Sequence, residues 1–188
     1  NAAFVPSYSS ELIRGKEKGR KFANQIFNLL LISLLIIVTI VEILMPGFIY
    51  LLAPGFKGNP EKIELTIFLT RLTFPFLIFV SLASFFSAIL NSHNKFAAAA
   101  AAPIILNILL ILVLFYGNYL NDNLVIYLSI AVSLAGLLQL VILIIFSRKY
   151  YKTKLSFDFK IPSSVKFFFK KLLPSIFSSG VTQINILI

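Results

Sequence analysis

Cysteine is absent from this 188-residue chain, and histidine occurs once, at His93. The first absence excludes thiol catalysis, thiolate metal sites and disulfides. A single histidine with only seven acidic residues leaves too few ligands for a protein metal site. Also missing are a glycine-rich phosphate loop, a metal-spaced pair of carboxylates or histidines, and a base beside a serine nucleophile. No catalytic residue, metal or cofactor is therefore expected, and the chain does not read as an enzyme. The start, Asn1 onward, lacks the basic, apolar and small-residue order of a signal peptide. The end, Gln183 to Ile188, stops within an apolar run, so the chain reads as an internal fragment of something longer.

Charge is scarce as well, at 13% of residues against roughly 25% in ordinary soluble domains. What fills the sequence instead is apolar: 59% of residues, with a mean hydropathy of +0.93. That much apolar surface cannot be hidden inside one small globule. Long apolar runs at 22–51, 65–91, 97–117, 124–146 and 165–188 are each near or above the ~20 residues that cross a bilayer as a helix. The expected fold is all-α: a polytopic transmembrane helix bundle, and a partial one. Short polar connections at 52–64, 92–96 and 118–123, and a longer one at 147–164, make consecutive spans antiparallel.

The net charge of +10 invites a nucleic-acid reading, but the basic residues sort by loop instead. Fourteen of the 17 lie in alternate stretches: 14–21, 92–96, and from 147 into the start of the last span. Two, Lys57 and Lys62, occupy an intervening loop, and Arg71 lies inside a span. Lysine and arginine are retained on the cytoplasmic side during insertion, so loops 14–21, 92–96 and 147–164 are expected there. The cluster between Arg148 and Lys171 is open to two readings: topology with attraction to anionic headgroups, or capture of a phosphate-bearing substrate as well. Nucleic acid is not an expected partner.

Two ionisable residues stand where lipid is expected, Glu42 and Arg71. Each costs several kcal/mol at mid-bilayer unless paired, hydrated or near an interface. Each also precedes a proline by four residues, Pro46 and Pro75, and proline removes the hydrogen bond to the carbonyl four residues earlier. Both charges are thus expected at helix breaks, at similar depth on neighbouring antiparallel helices. Either they form a static pair or snorkel outward, or Arg71 faces a hydrated cavity that attracts an anionic headgroup. Weaker signals are Ser81, Ser84 and Ser87 and the run Ala97 to Ala102, which read as tight helix packing. Asn107 and Gln139 are read as interhelical bonds or a polar lining, and His93 as a solvated loop residue. The last span, with Pro174, Ser178, Ser179, Gly180, Gln183 and Asn185, is too polar for lipid and is expected to line a cavity or a moving interface.

The string Thr70-Arg71-Leu72-Thr73-Phe74-Pro75-Phe76, continuing to Asn91-Ser92-His93-Asn94-Lys95-Phe96, resembles the fourth-helix signature of the MurJ/MviN family. These are lipid II flippases of the multidrug/oligosaccharidyl-lipid/polysaccharide exporter superfamily. Ala3-Phe4-Val5-Pro6, Ala53-Pro54-Gly55-Phe56, Ala102-Pro103-Ile104 and Pro174-Ser175-Ile176 fall in the family's order. The resemblance implies that 1–14 is the tail of the second helix and that the chain is part of an N-terminal bundle. It implies a bacterial cytoplasmic-membrane protein that moves an undecaprenyl-pyrophosphate-linked peptidoglycan precursor by alternating access. The partners it implies are lipid II, membrane lipids and cell-wall synthesis proteins. Arg71, Glu42, Gln183 and Asn185 become the expected substrate-cavity residues, and Pro46, Pro75 and Pro174 the expected kinks for gating. Two rivals stand beside this: export of another polyprenyl-linked glycan or a drug, and a non-transporting membrane subunit.

Overall fold

A computed structural model describes residues 3–56, 58–117 and 124–154, together with Val165, Phe168 and Lys170. Pro174, Gln183 and Asn185 lie outside the described residues, as does the course of the last expected span. Helices are α1 (Phe4–Ile13), α2 (Lys16–Leu52), α3 (Pro60–Thr73), α4 (Phe76–Ser92), α5 (Phe96–Ala101), α6 (Ile104–Phe115) and α7 (Leu124–Ser147). A single 3-10 turn, Pro54–Phe56, follows α2, and no strand occurs among the described residues.

Local chemistry explains the boundaries. Gly15 sits at φ 143°, a backbone conformation that L side chains rarely adopt, and this lets α1 turn into α2. Asn59 caps α3, its Oδ1 accepting from the Lys62 amide at 3.1 Å, with Pro60 at the first position and Glu61 in the first turn. α4 stops through Asn94, held at φ 56°, with the Lys95 amide reaching back to the Leu90 carbonyl at 2.9 Å. Pro75 separates α3 from α4, and Pro103 separates α5 from α6.

Taken across these breaks, four helical spans are long and apolar enough to cross a membrane: 16–52, 60–92, 96–115 and 124–147. α2 alone has 37 residues, about 55 Å at 1.5 Å per residue, well beyond the ~30 Å hydrocarbon core. The basic start, Lys16 to Lys21, takes up about 9 Å of that surplus. Ile43, Leu51, Leu52, Ile111 and Phe115 are more than 60% exposed, as expected of side chains whose solvent is lipid.

α4 against α7 is the most extensive helix contact, followed by α6 against α7. The interior divides into two clusters. The larger joins α1, α2, α4, α7 and the segment after it through Phe4, Tyr8, Phe22, Phe27, Phe85, Phe86, Leu143 and Tyr151. Its rings pack at offset and tilted angles, Phe4 on Phe85 at 5.1 Å and Phe27 on Phe85 at 5.4 Å. The smaller cluster is Met45, Ile49 and Ile63, between α2 and α3 at the opposite end.

Candidate functional site

The two charges within the spans meet. Arg71 Nε lies 3.8 Å from Glu42 Oε2, and Arg71 Nη2 donates to the Glu42 backbone carbonyl at 3.3 Å. Arg71 is seven residues beyond Glu64, the last other charge on α3, or roughly 10 Å deeper along the helix. The Arg71 side chain is 47% exposed and that of Glu42 27%, while Glu42 Oε1 is buried with no hydrogen-bond partner.

The second contact explains a departure from expectation at Pro46. No break occurs there: α2 runs unbroken from Lys16 to Leu52 with Pro46 inside it. Residue 46 has no amide hydrogen to offer the carbonyl four residues earlier, which is that of Glu42. The Arg71 guanidinium from the neighbouring helix takes the missing donor's place. A carbonyl that would otherwise stand unpaired in lipid is satisfied from outside its own helix.

At Pro75 the break is real, and it too is supported by a neighbour. Ser133 Oγ on α7 donates to the Leu72 carbonyl, one of those the break releases. Three residues along, Gly136 faces Phe76 and Phe79 so closely that an added Cβ would lie 2.6 Å from Phe76 Cδ2. Thr66, Thr70 and Thr73 hide their hydroxyls on α3 by donating to carbonyls one turn back, the first two at 2.6 and 2.7 Å. Ser133 and Gly136 were not singled out from the sequence. Their spacing of three beside a proline on another helix is a signal only once the helices are paired.

The opposite end gathers three basic stretches. Tyr151 donates to Asn24 Oδ1 at 2.6 Å, and the Lys154 amide donates to the same oxygen at 3.2 Å. These bonds tie the segment after α7 to the start of α2. Burial pushes the Tyr151 phenol well above its usual range, reinforced by Tyr8 and opposed by Arg20. His93 corrects the expectation of a solvated loop residue. Its ring stacks on Tyr150 at 4.5 Å and meets Tyr8 edge-on at 6.1 Å, and its Nε2 is buried without a partner. Burial lowers its pKa from the ordinary 6.5. The reason is tertiary: α1 and the segment after α7 both close over the turn.

Ser81 and Ser84 also depart from the tight-packing expectation. With Ser33, Phe4 and Phe168 they line a cavity of about 530 Å³ between α1, α2 and α4. Gln139 is buried on α7, whereas Asn107 is exposed on α6. No group of three or more potential metal ligands occurs among the described residues.

Four apolar spans, two of them interrupted at proline, with an ion pair held between helices, define a multi-pass membrane helical bundle. The family described as lipid II flippase MurJ matches residues 1–188, the whole chain. A probable lipid II flippase MurJ of Rickettsia prowazekii is 38% identical over 190 residues, covering 100% of this chain and 37% of that protein. Proteins of the same description from Rhizobium tropici and Buchnera aphidicola are 38% and 30% identical, over 100% and 99% of this chain and 36% and 37% of theirs. The chain belongs to the lipid II flippase MurJ family. It spans little more than a third of the length of these relatives.

Proposed function

We propose that this chain is part of the N-terminal transmembrane bundle of a lipid II flippase in a bacterial cytoplasmic membrane. Such a protein moves an undecaprenyl-pyrophosphate-linked peptidoglycan precursor across the bilayer by alternating access. The observation that carries the reading is the match of all 188 residues to a flippase family. The physical demand agrees with it: a pyrophosphate bearing a sugar-peptide head cannot cross hydrocarbon without a polar path between helices.

In this reading the stretches 14–21, 92–96 and 147–164 face the cytoplasm, supported by the lysine and arginine distribution. Arg71 serves the outer half of the path. Its guanidinium is half exposed while holding Glu42, so one cation both braces two helices and presents charge to an anionic headgroup. Glu42 sets its position. Gln183 and Asn185 on the last span add polar groups to the cavity, and Pro46, Pro75 and Pro174 mark where helices bend between access states.

The test is depletion of the full-length protein in its host, with lipid II measured on each leaflet. Accumulation on the cytoplasmic leaflet is expected. Unchanged lipid II flipping with normal cell shape would refute the reading, and arrest of a different polyprenyl-linked glycan would reassign the substrate. Arg71→Leu should lower flipping with insertion intact; full flipping by that variant would remove Arg71 from the path.

A further inference from the structure

A second cavity lies at the basic end, between the turn after α4 and the end of α7, with a volume of about 550 Å³. That is within the ordinary range for a ligand site, roughly 300–1,000 Å³. Its lining has two chemistries. Leu90, Ala98, Phe96 and Phe146 make it apolar, and Lys95 and Lys149 add two ammonium groups. The two phenylalanines are 57% and 58% exposed, so the apolar part opens where lipid chains lie.

The walls are held in place. The Lys95 backbone is positioned by the hydrogen bond that its N–H donates to the Leu90 carbonyl and by the left-handed Asn94 before it. Tyr150, another lining residue, is backed by the stacked ring of His93. Neither lysine forms an ion pair with an acidic side chain among the described residues. Two cations without an acidic partner among the described residues, next to an apolar slot at one end of a membrane bundle, call for a ligand with one anionic group and an apolar body.

We propose that this slot binds one anionic glycerophospholipid from the surrounding bilayer. Its phosphate sits between Lys95 and Lys149, and an acyl chain lies along Phe96 and Phe146. Such lipids surround every spanning helix, and the site needs no particular sidedness. It therefore stands or falls separately from the flippase reading. A lysine near an anionic membrane surface contributes about 1 kcal/mol, so two of them should give up to about thirty-fold preference over a zwitterionic lipid.

The experiment uses the full-length protein with Phe146→Trp, reconstituted in nanodiscs containing dibrominated phosphatidylglycerol or dibrominated phosphatidylcholine. Quenching at position 146 is the difference between this variant and the parent protein. Stronger quenching by phosphatidylglycerol is expected, falling to the phosphatidylcholine level in Lys95→Gln/Lys149→Gln. Equal quenching by the two lipids, or a preference unchanged in the double variant, would overturn the proposal. Displacement of the phosphatidylglycerol by added lipid-linked pyrophosphate would do so too, assigning the slot to the transported substrate. Should Phe146→Trp fail to fold, native mass spectrometry of the parent and the glutamine double variant reads the same difference in retained phosphatidylglycerol.

Discussion

Replacing Pro46 by alanine restores the amide hydrogen that the Glu42 carbonyl lacks within α2, and so makes the bond from Arg71 to that carbonyl dispensable. In the parent protein Arg71→Leu loses two contacts. One is the guanidinium–carbonyl bond at 3.3 Å, which at that length belongs at the lower end of the ~1.5–3 kcal/mol for charged donors. The other is the 3.8 Å carboxylate contact, which for two partly exposed side chains contributes below ~1 kcal/mol. The expected loss is therefore about 2 kcal/mol, beyond any cost of leaving Glu42 without its partner. In the Pro46→Ala background the carbonyl is already satisfied, and only the carboxylate terms remain. They are common to both backgrounds and cancel. The coupling energy between positions 46 and 71 should thus be about 1–1.5 kcal/mol, with Arg71→Leu the milder change when Pro46 is gone. The assay is equilibrium unfolding of the four full-length proteins in mixed micelles by titration with a denaturing detergent. Additivity within ~0.5 kcal/mol, the usual result for independent sites, would refute the substitution of a side-chain donor for a backbone one.

Gly136→Ala places a methyl 2.6 Å from the Phe76 ring, and overpacking of this kind costs about 1–3 kcal/mol; Ser133→Ala, which removes a hydroxyl without adding bulk, should cost less in the same detergent titration. The His93 ring is held neutral by burial below its ordinary pKa of 6.5. Its contribution to stability is complete above that value and is lost as pH falls through the lowered one. Protection factors at residues 91–95, that is, exchange rates referred to the intrinsic rate at each pH, should therefore fall on acidification below about pH 6.5, and His93→Phe, which keeps the ring and loses the titration, should flatten the profile.

The spans were legible because lipid imposes a composition as well as a period: some twenty apolar residues in a row exclude most other readings. The Glu42–Arg71 pair was legible for a related reason. Two isolated charges at equal depth on adjacent antiparallel helices have few partners other than each other. The proline rule used to place the breaks is local, and it failed at Pro46 because the compensating donor comes from 25 residues downstream. His93 was misread for the same cause. Asn, Ser, His and Asn in sequence describe a turn, but the tyrosines that bury the ring stand at positions 8 and 150. Serine spacing on α4 likewise says only that backbones can approach. Whether Ser81 and Ser84 close a contact or open a cavity depends on what α1 and α2 place opposite them.

The bend at Pro75 is splinted. To straighten it, Ser133 would have to release the Leu72 carbonyl and Phe76 would have to leave the hollow above Gly136. Both restraints belong to α7, so the joint between α3 and α4 is set by a third helix and not by the proline alone. Those three helices are accordingly tied together at one joint. A change of angle at Pro75, which the proposed gating role asks for, would therefore begin on α7, with the release of both restraints.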